Sequence, residues 1–210
     1  MSNEDYLKDI SEIKNLMSKS SRFISLSGLS GILAGIYALI GAFLAYRIIN
    51  EIKLEKHTLN RFFLAYDSVS TLIIIAIAVI FLSVITGVIL MQRKAKKHNE
   101  KIFETSSKRL LINFLIPLIT GGILCIILID KQYFDLIAST TLIFYGLSCV
   151  NASKYTLGDI RYLGFANIAL GLVATQFVGY GLYFWAVGFG IMHIIYGTMM
   201  HFKYDVAEKK

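Results

Sequence analysis

Six stretches in which apolar residues run almost unbroken for about twenty positions alternate along the chain with short polar or charged segments. They extend approximately over residues 24–46, 68–91, 110–129, 133–152, 160–177 and 180–202. Each approaches the roughly 20 residues that an α-helix needs to cross a 30 Å hydrocarbon layer. In lipid the backbone polar groups must be satisfied within a segment or a closed barrel, so runs this long and continuous predict helices. The fold class expected is therefore all-α, an integral membrane bundle of six transmembrane helices. Composition agrees, since 56% of the 210 residues are hydrophobic, 17% are charged, and the mean hydropathy is +0.63.

Around this transmembrane domain, residues 23–202, lie a polar lead, 1–22, and a short tail, 203–210. In the lead, Ser2 and Asp5 form the pattern of a capping box, and Tyr6, Ile10, Ile13 and Met17 follow at intervals of four, three and four. This predicts an amphipathic N-terminal helix, suited to the lipid interface, to the underside of the bundle or to a partner helix. The lead carries four acids and the first span is too long for the apolar region of an export signal, so no cleaved signal is expected.

Charge gives the orientation. Sixteen of the 21 Lys and Arg residues fall in the lead, the 92–109 loop, the 153–161 turn and the tail. The opposite side has Arg47, Lys53, Lys56, Arg61 and Lys131. Basic residues concentrate on the cytoplasmic side, which places both termini there. The net charge of +7 is densest in QRKAKKHNEK, where Arg93, Lys94, Lys96 and Lys97 are candidate ligands for anionic lipid headgroups. No aromatic residues interleave this run and no nucleic-acid-binding fold surrounds it, so nucleic acid is not an expected partner. A helical extension is expected through the loop until Thr105 or Ser106 caps the third span. Cys125 and Cys149 lie inside spans without metal spacing and are read as core residues.

Small residues mark where helices meet. Apolar burial brings helices together only weakly in lipid, so close approach of backbones at Gly, Ala and Ser governs association. Ser27, Gly31 and Gly35, with Ala34, Ala38 and Ala42, give the first span a smooth face. Gly164, Asn167, Gly171 and Ala174 form a stripe on the fifth, and Ala186, Gly190, His193 and Gly197 one on the sixth. Spans one, five and six are expected to pack together at the centre. Residues 28–35, GLSGILAG, also echo residues 164–171, GFANIALG, each preceded by a basic and an aromatic residue. Over its first 46 residues, with SRFISLSGLSGILAGIYALIGA after a charged lead, the chain resembles a family of small, uncharacterised bacterial membrane proteins with about six spans. That resemblance implies a cytoplasmic-membrane location and transfers no functional residue.

Polar groups inside spans are costly and often functional. Here they are Asn167 and Gln176 on the fifth span and His193 and Tyr196 on the sixth. Pro117 is expected to break the third helix, freeing the carbonyl of Asn113, with Gly121 and Gly122 close behind. No acidic or basic residue lies deep in any span, which argues against an ion-driven transporter.

Gly28-Leu29-Ser30-Gly31 is similar to the GxSG of rhomboid-type intramembrane serine proteases, and His193 lies at a comparable depth as a candidate base. The second span lacks the His and Asn expected of that family. Haem would need a second axial ligand beyond the single mid-membrane His193, and no metal-spaced cluster exists, so no cofactor and no metal are expected. The resulting expectation is a membrane protein without enzymatic activity, acting as a sensor, regulator or accessory subunit. Its partners would be lipids, a membrane or cytoplasmic protein, or further copies of itself. A passive channel or small-molecule carrier is the alternative, and an intramembrane hydrolase the third reading.

Overall fold

A computed structural model describes residues 27–54, 61–97 and 105–206. The expected amphipathic helix at 1–22, the end of the basic loop at 98–104 and the last residues of the tail lie outside them. The described elements are all helical. They are α1 (Gly28–Leu54), α2 (Arg61–Lys97), α3 (Thr105–Asp130), a 3-10 turn at Phe134–Leu136 leading into α4 (Ile137–Ala152), α5 (Ile160–Ala174) and a final composite helix, α6. Four successive segments make up α6: α-helical Gly181–Trp185, π-helical Ala186–Ile191, α-helical Met192–Met200 and π-helical His201–Val206.

Five of the six helices are long and apolar enough to cross a membrane, so the chain is a multi-pass membrane protein. The fifth differs from its expected length. The apolar run continues to Phe177, but α5 ends at Ala174 after 15 residues, about 22 Å of rise, and turns through Thr175 to Gly179. Gly179 allows that turn with a φ of 86°. By contrast, α2 has 37 residues, about 55 Å, and carries its basic last turn well past its apolar core. The α3–α4 corner is a Schellman cap: Tyr133 N–H donates to the Leu128 carbonyl and Gln132 N–H to that of Ile129, with Gln132 at φ 62°.

Packing divides the helices into two groups. One is α2–α1–α6 and the other α3–α4–α5; among the described residues, α6 carries the substantial contacts between them, touching α4 and α5. The expected centre of spans one, five and six is thus half right. The stripes of α1 and α6 do face each other, but the glycines of α5 face α4. A methyl group on Gly164 would lie 2.7 Å from the carbonyl oxygen of Gly146, and one on Gly146 would lie 2.6 Å from that of Gly164. Backbones this close exclude any side chain at either position.

The two close crossings repeat one another. On α1, Gly28 and Ile32 meet Gly197, and seven residues on, Gly35 meets the Gly190 carbonyl and Ile194. On α5, Gly164 and Ile168 meet Gly146, and seven residues on, Gly171 meets the Ser139 carbonyl and Ile143. The two sequence segments that echo therefore occupy equivalent positions in two antiparallel pairs, α1/α6 and α5/α4.

Pro117 does not break α3, contrary to expectation. Its ring removes the N–H that would reach the Asn113 carbonyl, but Asn151 Nδ2 on α4 donates to that oxygen at 2.8 Å. The helix continues because a neighbour satisfies the freed group. Gly121 allows Phe144 of α4 to approach, whereas Gly122 faces open space.

Candidate functional site

The seam where α6 meets α4 and α5 holds the buried polar chemistry of the bundle. At its middle, His193 is 7% exposed and both ring nitrogens are engaged. Nδ1 lies 2.9 Å from the Gly188 carbonyl oxygen, five residues earlier in the π segment, and Nε2 lies 2.7 Å from the hydroxyl of Tyr145 on α4. A carbonyl only accepts, so Nδ1 carries the proton. In the neutral imidazole Nε2 is then the acceptor and the Tyr145 hydroxyl donates to it. The π segment widens the helix, with the Met192 N–H reaching back to the Val187 carbonyl, and leaves Gly188 where the ring can reach it.

Aromatic rings surround this bond. Tyr145 meets Phe114 of α3 edge-on at 6.0 Å and Phe189 of α6 at 5.0 Å. Phe189 in turn stacks on His193 at 5.8 Å and meets Trp185 at 5.0 Å. Three helices are thereby tied together around one hydrogen bond. Beside it, Asn167 is fully buried: its Nδ2 donates to the Leu163 carbonyl at 2.9 Å, and its Oδ1, without a hydrogen-bond partner among the described residues, points at Gly188. Any side chain at Gly188 would collide with that oxygen and with Leu142.

A second fastening closes the seam where α5 begins and α6 ends. Asp159 stands at the N-cap position of α5 without capping it. Its Oδ2 instead accepts from Lys203 Nζ at 2.6 Å and from the Tyr204 hydroxyl at 2.9 Å, both on α6. The Lys203 hydrogen bond is the chief reason that the Asp159 carboxyl is held below its usual range; Tyr204 adds to the effect and partial burial opposes it. Between the two fastenings, α5 and α6 diverge around a groove of about 580 Å³ lined mainly by apolar side chains.

The remaining sequence candidates divide as follows. Ser30 Oγ donates to the Ser27 carbonyl of its own helix at 2.6 Å, and His193 is committed elsewhere, so the structure does not pair them as nucleophile and base. Tyr196 does not join His193; its buried hydroxyl has no hydrogen-bond partner among the described residues. Gln176, expected inside the fifth span, lies exposed in the turn beyond α5, 3.4 Å from Thr175 Oγ1. Arg93, Lys96 and Lys97 are exposed on the last turn of α2, with Lys94 half-buried. Cys125 and Cys149 are free thiols. Among the described residues no three His, Cys, Asp or Glu side chains converge as a metal site.

Sequence reasoning overlooked Tyr145, Asn151 and the Asp159–Lys203 pair. Asn151 was within reach, as a donor near the end of the fourth span when a freed carbonyl had been recognised on the third. Tyr145 gave no signal, because an aromatic residue inside an apolar run reads as core. No protein-family model, curated protein or solved structure matches this chain.

Proposed function

We propose that this is a non-catalytic regulatory, sensing or accessory protein of a bacterial cytoplasmic membrane, with both termini in the cytoplasm. It would work by movement of the α1/α6 pair against the α4/α5 pair. One observation carries the reading: the His193–Tyr145 bond joins the two pairs across their seam. Each pair is locked internally by glycine contacts, whereas the seam is held by side chains that can part and re-form. The Asp159–Lys203 bond at the seam's end is a second such tie. The sidedness is supported by the charge bias and by the meeting of Gly28, at the start of α1, with His201, near the end of α6.

Site-specific photocrosslinking in native membranes, read by mass spectrometry, tests the role. A stoichiometric protein partner whose yield changes with Tyr145→Phe is expected. Solute flux through liposomes holding the purified chain alone would replace this reading with a channel or carrier. A serine-directed fluorophosphonate probe should leave Ser30 unlabelled; labelling dependent on His193 would replace it with a hydrolase. A reporter active only in the cytoplasm should work near Lys97 and after Lys210 and fail near Lys56.

A further inference from the structure

The groove between α5 and α6 is unlike the rest of the apolar surface. The outward faces of α2 and α3 are convex rows of Ile, Leu, Val and Phe that any lipid chain covers equally. The groove is concave, and its volume of about 580 Å³ lies within the roughly 300–1,000 Å³ of small-molecule sites. It runs about 16 Å along α6, from Met192 to Lys203, at 1.5 Å per residue. Met192, Met199 and Met200, three of the chain's six methionines, line it. Unbranched thioether side chains adapt to an irregular flexible guest.

One end of this groove is apolar and the other is charged. At the mouth, Lys203 and Asp159 form their ion pair, and Arg161 packs over the ring of Tyr162, a groove-lining residue, while its guanidinium donates to the Tyr162 hydroxyl at 2.9 Å. Among the described side chains, two cations stand against one anion at the mouth, an excess of positive charge. Deeper in, the wall is apolar, formed by Leu163, Ala166, Met192, Ile195 and Met199. The polarity thus runs from a charged mouth to a methionine-lined channel.

We propose that this groove is a binding site for one anionic phospholipid. Its phosphate lies at Arg161 and Lys203, and one acyl chain runs between Ala166 and Met199. The site is independent of the protein-partner reading above: a lipid sits here whether or not a protein docks elsewhere.

The full-length chain in phosphatidylethanolamine liposomes, doped with a phosphatidylglycerol carrying a mid-chain diazirine, provides the test. After irradiation, adducts mapped by mass spectrometry should concentrate on Tyr162, Met192 and Met199, and Ala166→Trp should remove them while leaving adducts on α2 unchanged. An uncharged diacylglycerol with the same chain should label these residues about fivefold less, the ratio equivalent to about 1 kcal/mol for one basic residue near an anionic headgroup. Arg161→Gln should abolish that ratio. Adducts spread evenly over α2, α3 and the groove in the wild-type protein would overturn the site, whatever the folding of the variants. Equal labelling by the charged and uncharged probes would overturn the anionic assignment.

Discussion

The Tyr145 hydroxyl on α4 donates to Nε2 of His193 on α6 at 2.7 Å, joining two helix pairs that are otherwise built separately. Tyr145→Phe should keep the ring contacts with Phe114 and Phe189 and lose only this bond. Interhelical bonds in membranes average about 0.6 kcal/mol, so a small fall in thermal stability in detergent is expected. His193→Leu, which also leaves the Gly188 carbonyl without its ring donor, should cost more than Tyr145→Phe. The reverse order would mean that the bond to Gly188 contributes nothing.

Glycine substitutions should separate contact faces from open ones. Gly146→Leu and Gly197→Leu place side chains against backbone carbonyls, whereas Gly87→Leu and Gly122→Leu meet open space. Overpacking of this kind costs about 1–3 kcal/mol. Melting temperatures of the four variants should fall into two groups, with the second pair near the wild-type value.

The Pro117–Asn151 relationship predicts a rescue. Asn151→Leu leaves the Asn113 carbonyl unbonded, at a cost of about 1–3 kcal/mol if it stays dry. Pro117→Ala restores the backbone N–H that carbonyl lacks. In a double-mutant cycle, Pro117→Ala should therefore reduce the damage done by Asn151→Leu; additive losses would show that the Asn151 bond is incidental.

Acid should loosen the seam at Asp159. Its carboxyl is held below the ordinary value of 3.8, chiefly by the Lys203 hydrogen bond. A group whose folded pKa is lowered contributes stability that is fully present above the unfolded value and is lost as pH falls through the folded one. The side chains of Asp159 and Lys203 are 30% and 58% exposed, so the contribution is about 1 kcal/mol or less. Between about pH 5 and pH 3, wild-type stability should fall slightly more than that of Asp159→Asn. Parallel curves would show that the ion pair adds nothing in solution.

The helices and their small-residue faces were legible because the bilayer imposes length, apolarity and close approach on any sequence that crosses it. The glycines of α5 announced a tight contact, but a small-residue stripe specifies how near a neighbour comes and not which one, so α4 was missed as their partner. Gly146, isolated among bulky residues of the fourth span, gave no stripe to read. Pro117 correctly pointed to a freed carbonyl, yet the helix survives because Asn151, 38 residues beyond Asn113, supplies the missing donor, and no local pattern relates the two. Asp159 and Lys203 are separated by 44 residues, and no local pattern relates them. The end of α5 was obscured because Phe177 and Val178 continue the apolar run beyond the turn.

The brevity of α5 bears on the bilayer itself. Its rise of about 22 Å falls some 8 Å short of a typical 30 Å hydrocarbon layer, whereas the apolar part of α2 is long enough to cross it. Hydrophobic mismatch of this kind costs a fraction of a kcal/mol per Å and is relieved by thinning the adjacent lipid or drawing polar flanks inward. The α5 flank is therefore the one where thinner lipid is expected, with headgroups drawn towards Asp159 and Arg161. Swapping lipids of one chain length for another should change the strain on this flank more than on the flank formed by α2.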